Sequence, residues 1–146
     1  SISFLYYVNQ ALRIAGHGDE YIQRLDIWRK NLALGMTTWG EDSKVETTRS
    51  DCHAWGASPN VEYYRTVLGI DSDAPGFQTI RIEPHLGTLT NASGTMPHPN
   101  GQVSTSYHKK GKKWQVAITI PNGTKAYLIW KGERKDLNEG QNKFVF

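Results

Sequence analysis

The chain has 146 residues, of which 38% are hydrophobic and 11% aromatic, enough for a packed core and too many for a disordered chain. The formal net charge is only +3, and basic residues are mostly mixed with acidic ones, which argues against nucleic acid as a partner. The exception is HKKGKK at 108–113, which is predicted to be a solvated hairpin turn between two strand-like segments. The single cysteine, Cys52, excludes an internal disulfide, and we interpret it as a small buried side chain. We expect no membrane span, because no apolar run approaches roughly 20 residues.

The first half of the chain predicts three helices. Apolar residues recur at helical spacing before Gly16, and again between a candidate N-cap, Asp19, and Gly35. A third helix is predicted from near Pro59 to Gly69, since proline is tolerated in a first turn and glycine favours an end. The apolar positions of the first two stripes are Phe4, Leu5, Val8, Leu12 and Ala15, then Tyr21, Leu25, Trp28 and Leu32.

After residues 69–76 the hydrophobic period changes from helical spacing to alternation. Short segments rich in β-branched and aromatic residues follow, bounded by glycine, proline and asparagine. These segments are FQTIRIEP, GQVSTSYH, KWQVAITI, KAYLIW and KFVF. Residues 121–124, PNGT, predict a hairpin, and KGER at 131–134 predicts another turn. The pattern indicates an α+β fold, with helices in 1–70 and an antiparallel β-sandwich in 76–146.

The predicted helical part is too small to bury its own apolar stripes. Its helices need either the sandwich or a larger helical body to pack against. The chain also starts with Ser1, not Met, and enters a helical pattern at once. We therefore expect that the start of a longer protein is missing, which leaves the targeting signal and the compartment unread.

The most unusual stretch of the chain is TTWGEDSKVETTRSDCHAWGASPN, residues 37–60. It places Glu41 two residues after Trp39, and His53 beside a second tryptophan, Trp55. Aromatic faces pack on the C–H faces of sugar rings while a carboxylate acts on water, so the pattern suits a glycosidase. The alternative is a surface acid beside an exposed aromatic ring, with a structural histidine. No tight ligand spacing such as HExxH occurs, and we expect neither a metal ion nor a cofactor.

Four segments together resemble the carboxy-terminal end of bacterial α-L-rhamnosidases, the glycoside hydrolase family 78 enzymes. They are GMTTWGE, RSDCHAWGASPNVEYYRTVLGI, PGFQTIRIEPHLGTL and NGQVSTSY, and the likeness covers about residues 30–130. The resemblance implies that residues 1–70 are the last helices and loops of an (α/α)6 catalytic barrel. Residues 76–146 are then a carboxy-terminal β-sandwich.

The resemblance also implies a mechanism and a site. Family members invert the anomeric centre with two glutamates, and Glu41 occupies the position of the general base. His53 matches a substrate-side histidine, while Trp39 and Trp55 are expected to line the sugar subsite. The sequence departs from many members in placing Gly40 between the tryptophan and the glutamate.

The implied partners are a rhamnose-containing glycoside or polysaccharide and the missing amino-terminal part of the same enzyme. That part is expected to supply the general acid. An isolated chain without the acid is expected to be inactive.

Two other functions compete with this one. A non-catalytic carbohydrate-binding or scaffolding module is favoured if Trp114, Tyr127 and Trp130 line one exposed sheet face, although their alternation places some of them in the core. A nucleic-acid binder acting through Lys109–Lys113 requires a steeply salt-dependent affinity, and the mixed charge of the chain argues against it.

Overall fold

The computed structural model describes the backbone of residues 1–146 and every side chain except that of Val45. The first half is helical: α1 (Ile2–Ile14), a 3₁₀ segment (Gly18–Arg24), α2 (Asp26–Ala33), short 3₁₀ turns (Val45–Thr47 and Ala54–Ala57), and α3 (Ser58–Glu62), which continues as a π-helical turn (Tyr63–Val67). None of the helices described is long and apolar enough to cross a membrane. The three predicted helical regions are therefore present.

The second predicted helix is divided in two. Asp19, the expected N-cap, turns its carboxylate to the N–H of Gly87, at 3.0 Å. Gly18 lies so close to the ring of His85 that an added Cβ would be 2.4 Å from it. These contacts hold the first turns as a 3₁₀ segment against the loop at residues 83–90, and α2 begins only at Asp26. Tertiary packing has overridden the local helical pattern.

Eight strands form two sheets. They are β1 (Ile70–Ser72), β2 (Thr79–Ile82), β3 (Asn91–His98), β4 (Gly101–Lys110), β5 (Lys113–Ile120), β6 (Lys125–Trp130), β7 (Glu133–Leu137) and β8 (Gly140–Val145). One sheet has the order β1-β2-β6-β7 and the other β3-β4-β5-β8. The predicted α+β fold with a β-sandwich is confirmed. One pairing departs from an all-antiparallel sandwich, because β2 runs parallel to β6.

The turn at Asn122-Gly123 is not a hairpin. It joins β5, which pairs with β4 and β8, to β6, which pairs with β2 and β7, so the chain crosses from one sheet to the other. The hairpin prediction for residues 121–124 is wrong, although the turn itself is present. The Glu139 carboxylate accepts a hydrogen bond from the N–H of Gly123 at 2.9 Å, and the Asn100 side-chain amide donates to the Gly123 carbonyl at 3.2 Å. The turns predicted at residues 108–113 and 131–134 do join antiparallel neighbours, β4 to β5 and β6 to β7.

The main core lies between the two sheets. Alternate residues of β5 are buried, which explains the alternation read from its sequence. Tyr107 is 1% exposed and donates its hydroxyl to the Leu68 carbonyl at 2.7 Å. Its burial raises the pKa of that hydroxyl well above the usual range, so it stays a donor at any physiological pH. Members of this core include Ile80, Ile82, Val103, Val116, Ile118, Ile120, Leu128 and Trp130.

The helical part has a smaller core and an exposed apolar surface. Ile2, Tyr21, Leu25, Trp28 and Val67 pack together. Phe4 and Leu32, which belong to the predicted stripes, lie outside this core and are 64% and 71% exposed. On α1 the ring of Phe4 lies beside that of Tyr7, also 64% exposed, with centroids 6.1 Å apart, so these apolar side chains adjoin on the surface.

Contacts join the helical part to the sandwich. Arg13 forms an ion pair with Asp71 at 2.8 Å, and the His85 N–H donates to the Thr66 carbonyl at 3.0 Å. The ring of His85 packs against Gly18. These contacts fix the helices on one end of the sandwich. The division into units of 1–70 and 76–146 stays a prediction.

Candidate functional site

Residues 37–56, here called the site loop, fold back on themselves between α2 and α3. The N–H of Glu41 donates to the Ser50 carbonyl at 2.9 Å, and the N–H of His53 donates to the Trp39 carbonyl at 2.6 Å. The Thr38 hydroxyl donates to the carbonyl of Asp51. These bonds run between the two arms of the loop. They bring residues that are about twelve positions apart in the sequence side by side.

Glycine allows the arms to approach this closely. A Cβ at Gly56 would lie 2.4 Å from the Gly40 carbonyl oxygen and 3.2 Å from Trp39. The indole N–H of Trp28 donates to the Gly56 carbonyl at 2.8 Å, and Trp28 belongs to the helical core. The base of the site loop is therefore anchored to a packed residue. Such anchoring reduces the conformational freedom of the side chains that the loop carries.

The Glu41 carboxylate is held by Arg49. The Glu41 side chain is 14% exposed. Arg49 contacts both of its carboxylate oxygens, through Nε at 3.2 Å and Nη2 at 2.6 Å. A bidentate ion pair of this kind fixes the plane of the carboxylate. An ionised carboxylate has about four lone-pair sites, so two remain for a water molecule or a sugar hydroxyl. The ion pair therefore fixes the orientation of the Glu41 carboxylate.

Trp55 contacts the backbone of Glu41, and His53 contacts Trp55. The indole N–H of Trp55 donates to the Glu41 carbonyl at 2.7 Å, and the rings of Trp55 and His53 have centroids 3.9 Å apart. Trp55 is 43% exposed, so part of its ring is open to a ligand. Trp39 differs from it, because its half-buried ring packs against the helical core. Contacts through Trp55 thus connect Glu41 and His53, and the backbone of His53 is bonded to that of Trp39.

The other acids of the site loop make local contacts or are exposed to solvent. Asp42 accepts the N–H of Lys44 at 2.7 Å, which is a local turn contact. Glu46 and Asp51 are exposed, and Glu46 lies 3.8 Å from Lys30. Cys52 is also exposed, so its interpretation as a buried side chain is wrong. It lies in irregular backbone, where no strand or helix period directs alternate residues inward.

Two grooves border the site loop. One lies beside Trp55 and is also lined by Tyr6, Tyr7 and Val61. The other lies behind the loop, where Trp39 and Tyr63 form part of its wall. Within the part of the chain that the structure describes, no three His, Cys, Asp or Glu side chains gather as a metal site would require.

Arg49, Tyr6 and Tyr7 are site residues that sequence reasoning missed. Arg49 is eight residues from Glu41, and only the closure of the loop brings them together. The available signal was that the loop contains a basic residue that could pair with Glu41. Lys44 fits that signal as well as Arg49 does. The two tyrosines come from α1, which carries no feature of the loop motif.

The aromatic residues of the sandwich do not form an open platform. Trp130 is 6% exposed and stacks on Phe146, with ring centroids 4.6 Å apart. Tyr127 is 7% exposed and donates its hydroxyl to Asp73 at 2.7 Å. Trp114 is half-buried. A binding module that uses one exposed sheet face is therefore not favoured.

Fold and site together define an α+β chain in which helices carry a loop rich in carboxylates and aromatic rings and pack on a two-sheet sandwich. Residues 69–144 match the family model described as the bacterial alpha-L-rhamnosidase C-terminal domain, and the chain belongs to that family. This match covers the sandwich. The site loop lies before it in the chain.

The chain is also similar to one alpha-L-rhamnosidase sequence and to one alpha-L-rhamnosidase structure. An alpha-L-rhamnosidase of Alteromonas sp. (strain LOR) is 29% identical over 68 residues, which are 46% of this chain and 7% of that protein. The native rhamnosidase structure from Aspergillus terreus matches with a TM-score of 0.86 at 21% identity, over 96% of this chain and 18% of that one.

Two further solved structures share the fold. The alpha-L-rhamnosidase from Dictyoglumus thermophilum matches with a TM-score of 0.83 at 16% identity, over 99% of this chain and 20% of that one. The Streptomyces avermitilis alpha-L-rhamnosidase complexed with L-rhamnose matches with a TM-score of 0.72 at 20% identity, over 82% and 14% respectively. The chain therefore spans a fifth or less of each of these relatives.

Proposed function

We propose that the chain is the carboxy-terminal part of an inverting α-L-rhamnosidase, and that Glu41 is its general base. The observation that carries the proposal is the closed site loop, in which Arg49 orients the Glu41 carboxylate and Trp55 bonds to the Glu41 backbone and packs against the His53 ring. Membership of the rhamnosidase family supports the reaction class.

The proposed chemistry uses a water molecule between Glu41 and the anomeric carbon. Glu41 accepts a proton from the water as its oxygen bonds to that carbon. On the opposite face, the bond to the leaving oxygen breaks and a general acid protonates that oxygen. Inverting enzymes hold their two carboxyl groups about 6.5–9.5 Å apart, which leaves room for the water.

Three aromatic side chains of the site loop are proposed to bind the sugar. The exposed ring of Trp55 suits the C–H face and the methyl group of rhamnose, while the His53 imidazole suits a hydroxyl. Trp39 packs into the helical core. Its proposed contribution is to close the base of the subsite.

The general acid is proposed to come from the rest of the enzyme. Asp42 and Glu46 are neighbours of Glu41 in the same loop, and neither is placed to reach the opposite face of a sugar bound there. The exposed apolar side chains of the helices offer a surface for that missing part, with Phe4 and Tyr7 each 64% exposed. The second proposed partner is a rhamnose-containing glycoside or polysaccharide.

Steady-state kinetics of the longer protein with an aryl α-L-rhamnoside test the base assignment. Glu41→Gln should lower kcat about 10²–10⁴-fold, the usual contribution of general acid–base catalysis, and change KM little because the amide keeps the shape. Azide needs no deprotonation and should partly restore breakdown of an activated substrate in this variant.

Glu46→Gln is the matched control, since it removes a solvated carboxylate from the same loop. It should retain the wild-type kcat. A wild-type kcat in Glu41→Gln itself would show that the base is a different residue.

A further inference from the structure

A second cleft lies where the helical part meets the sandwich. It is bordered by the 3₁₀ segment, by the loop after β2, by the β4–β5 hairpin and by the turn between β6 and β7. No residue of the site loop lines it in the part of the chain that the structure describes. The argument rests on six of its lining residues: Asp19, Gly87, Lys109, Trp114, Trp130 and Lys131.

One wall of this cleft is a fixed aromatic surface. Trp114 is half-buried and meets Trp130 edge to face, with ring centroids 6.0 Å apart. Trp130 in turn stacks on Phe146. The backbone of Trp114 exchanges two hydrogen bonds with that of Phe146, at 2.8 and 2.9 Å. A rigid ring of this kind binds a flat apolar face at little entropic cost.

The charged groups of the cleft favour an anion. The Lys109 ammonium lies 5.8 Å from the centre of the Trp114 ring, and Lys131 contributes a second cation from its turn. Asp19 is the opposing carboxylate, and one of its oxygens already accepts the N–H of Gly87. Among the side chains described, neither lysine has a carboxylate oxygen within 4.0 Å. No described carboxylate therefore neutralises either ammonium group, and that of Lys109 lies over the Trp114 ring.

We propose that this cleft binds an anionic saccharide, one that carries a carboxylate or a sulfate group. The ring of one sugar packs on Trp114, its anionic group contacts Lys109 and Lys131, and the second oxygen of Asp19 accepts a hydroxyl. A nucleic-acid strand fits less well. It would present successive phosphates to a cleft that contains a carboxylate and only two cations.

Titrations of the 146-residue chain, followed by tryptophan fluorescence and calorimetry, test the proposal. The probes are a galacturonate trisaccharide, a sulfated galactose trisaccharide and neutral galactotriose. Both anionic probes should bind at least about fivefold more tightly than the neutral one, with an advantage that shrinks as salt is raised. Their relative affinities show whether the carboxylate or the sulfate is preferred.

Variants locate the binding. The double variant Lys109→Gln, Lys131→Gln should lose the preference for anionic probes. Trp114→Phe should lower the affinity for all three probes. Lys112→Gln with Lys113→Gln is the matched control, because it removes the same charge from exposed positions of the same hairpin, outside the cleft. The control should keep the preference. Glu41→Gln should also keep it, which separates this proposal from the catalytic one.

Several results would overturn the proposal. Absence of binding, or equal affinity for neutral and anionic trisaccharides, excludes an anionic saccharide as the ligand. If the two double-lysine variants lose the same amount of affinity for the anionic probes, the effect comes from overall charge and not from the cleft. Tighter binding of a single-stranded oligonucleotide than of any trisaccharide assigns the cleft to nucleic acid.

Discussion

At the scale of single residues, Arg49 is the side chain on which the geometry of the proposed base depends. Arg49→Ala should lower kcat about tenfold with a smaller effect on KM, because the Glu41 carboxylate loses the contact that fixes its plane. Arg49→Lys should recover only part of the loss, since an ammonium contacts one point and not two. The measurement is steady-state kinetics of the longer protein. An unchanged kcat in both variants would show that the pair does not position the base.

His85 is predicted to make the stability of the chain sensitive to acid. Burial lowers the pKa of its imidazole from the ordinary value of 6.5, an effect opposed by Asp19 and Glu83 and reinforced by Arg13 and Arg81. The unfolded chain therefore binds a proton more readily than the folded one. The contribution of neutral His85 to the free energy of unfolding should be fully present above about pH 6.5 and should be lost as the pH falls below that value.

His85→Gln tests this effect, because glutamine does not titrate. Chemical denaturation of the variant between pH 7.5 and 5.5 should show a shallower loss of stability than that of the parent chain. His17→Gln is the control, since His17 is exposed. Equal pH slopes in the parent chain and the His85 variant would contradict the prediction.

Sequence reasoning predicted the residues of the site that belong to a local motif. Glu41, His53, Trp39 and Trp55 lie in one stretch, and the closure of the loop brings them near one another. Arg49 was not predictable, because its pairing depends on which arms of the loop meet. The catalytic roles of all these residues stay predictions.

At the scale of elements, Gly69 controls the passage from the helices to the sandwich. It has φ +76°, and a Cβ there would lie 2.2 Å from the Glu83 carbonyl carbon. Gly69→Ala should cost roughly 3 kcal/mol of unfolding free energy or more, because backbone strain adds to a backbone clash. Gly111, with φ +62° and no atom within 4 Å of its would-be Cβ, is the matched control.

Gly111→Ala should cost about 1–2 kcal/mol, the strain alone. Urea denaturation of both variants measures the difference. Equal costs would mean that the backbone near Glu83 moves to accommodate the methyl group.

The strands that sequence reasoning missed, β1, β3 and β7, lack a strong apolar pattern. β7 is ERKDL, in which four charged residues precede the buried Leu137. β1 has only three residues, too few for a period to be seen. β3 contains Gly94 and Pro97, which usually argue against a strand. It lies at the edge of its sheet, where a missing N–H is tolerated, and Gly94 makes room for Leu68, whose side chain would be 2.5 Å from an added Cβ. Gly94 and Pro97 fit this strand because of contacts and a sheet position that involve distant parts of the chain. The local sequence therefore does not predict the strand.

At the scale of the whole molecule, the isolated chain is predicted to be inactive. Inverting hydrolysis requires an acid and a base on opposite faces of one sugar, and the site loop offers only the proposed base. Incubation with an aryl α-L-rhamnoside should release no detectable product, whereas the longer protein should. Turnover by the 146-residue chain, abolished by Glu41→Gln, would show that a second carboxylate within the chain serves as the acid.

The parallel pairing of β2 with β6 affects the order in which the chain folds. Residues 83–124, which separate these strands, contain the whole of β3, β4 and β5. The antiparallel neighbours β4 and β5 meet by closing a tight turn, but β2 and β6 meet only after a long loop closes, at a higher entropic cost. In pulse-labelled hydrogen exchange, amides of the β4–β5 hairpin should therefore gain protection before those between β2 and β6. During synthesis, β1 and β2 must wait for β6 before their sheet can form.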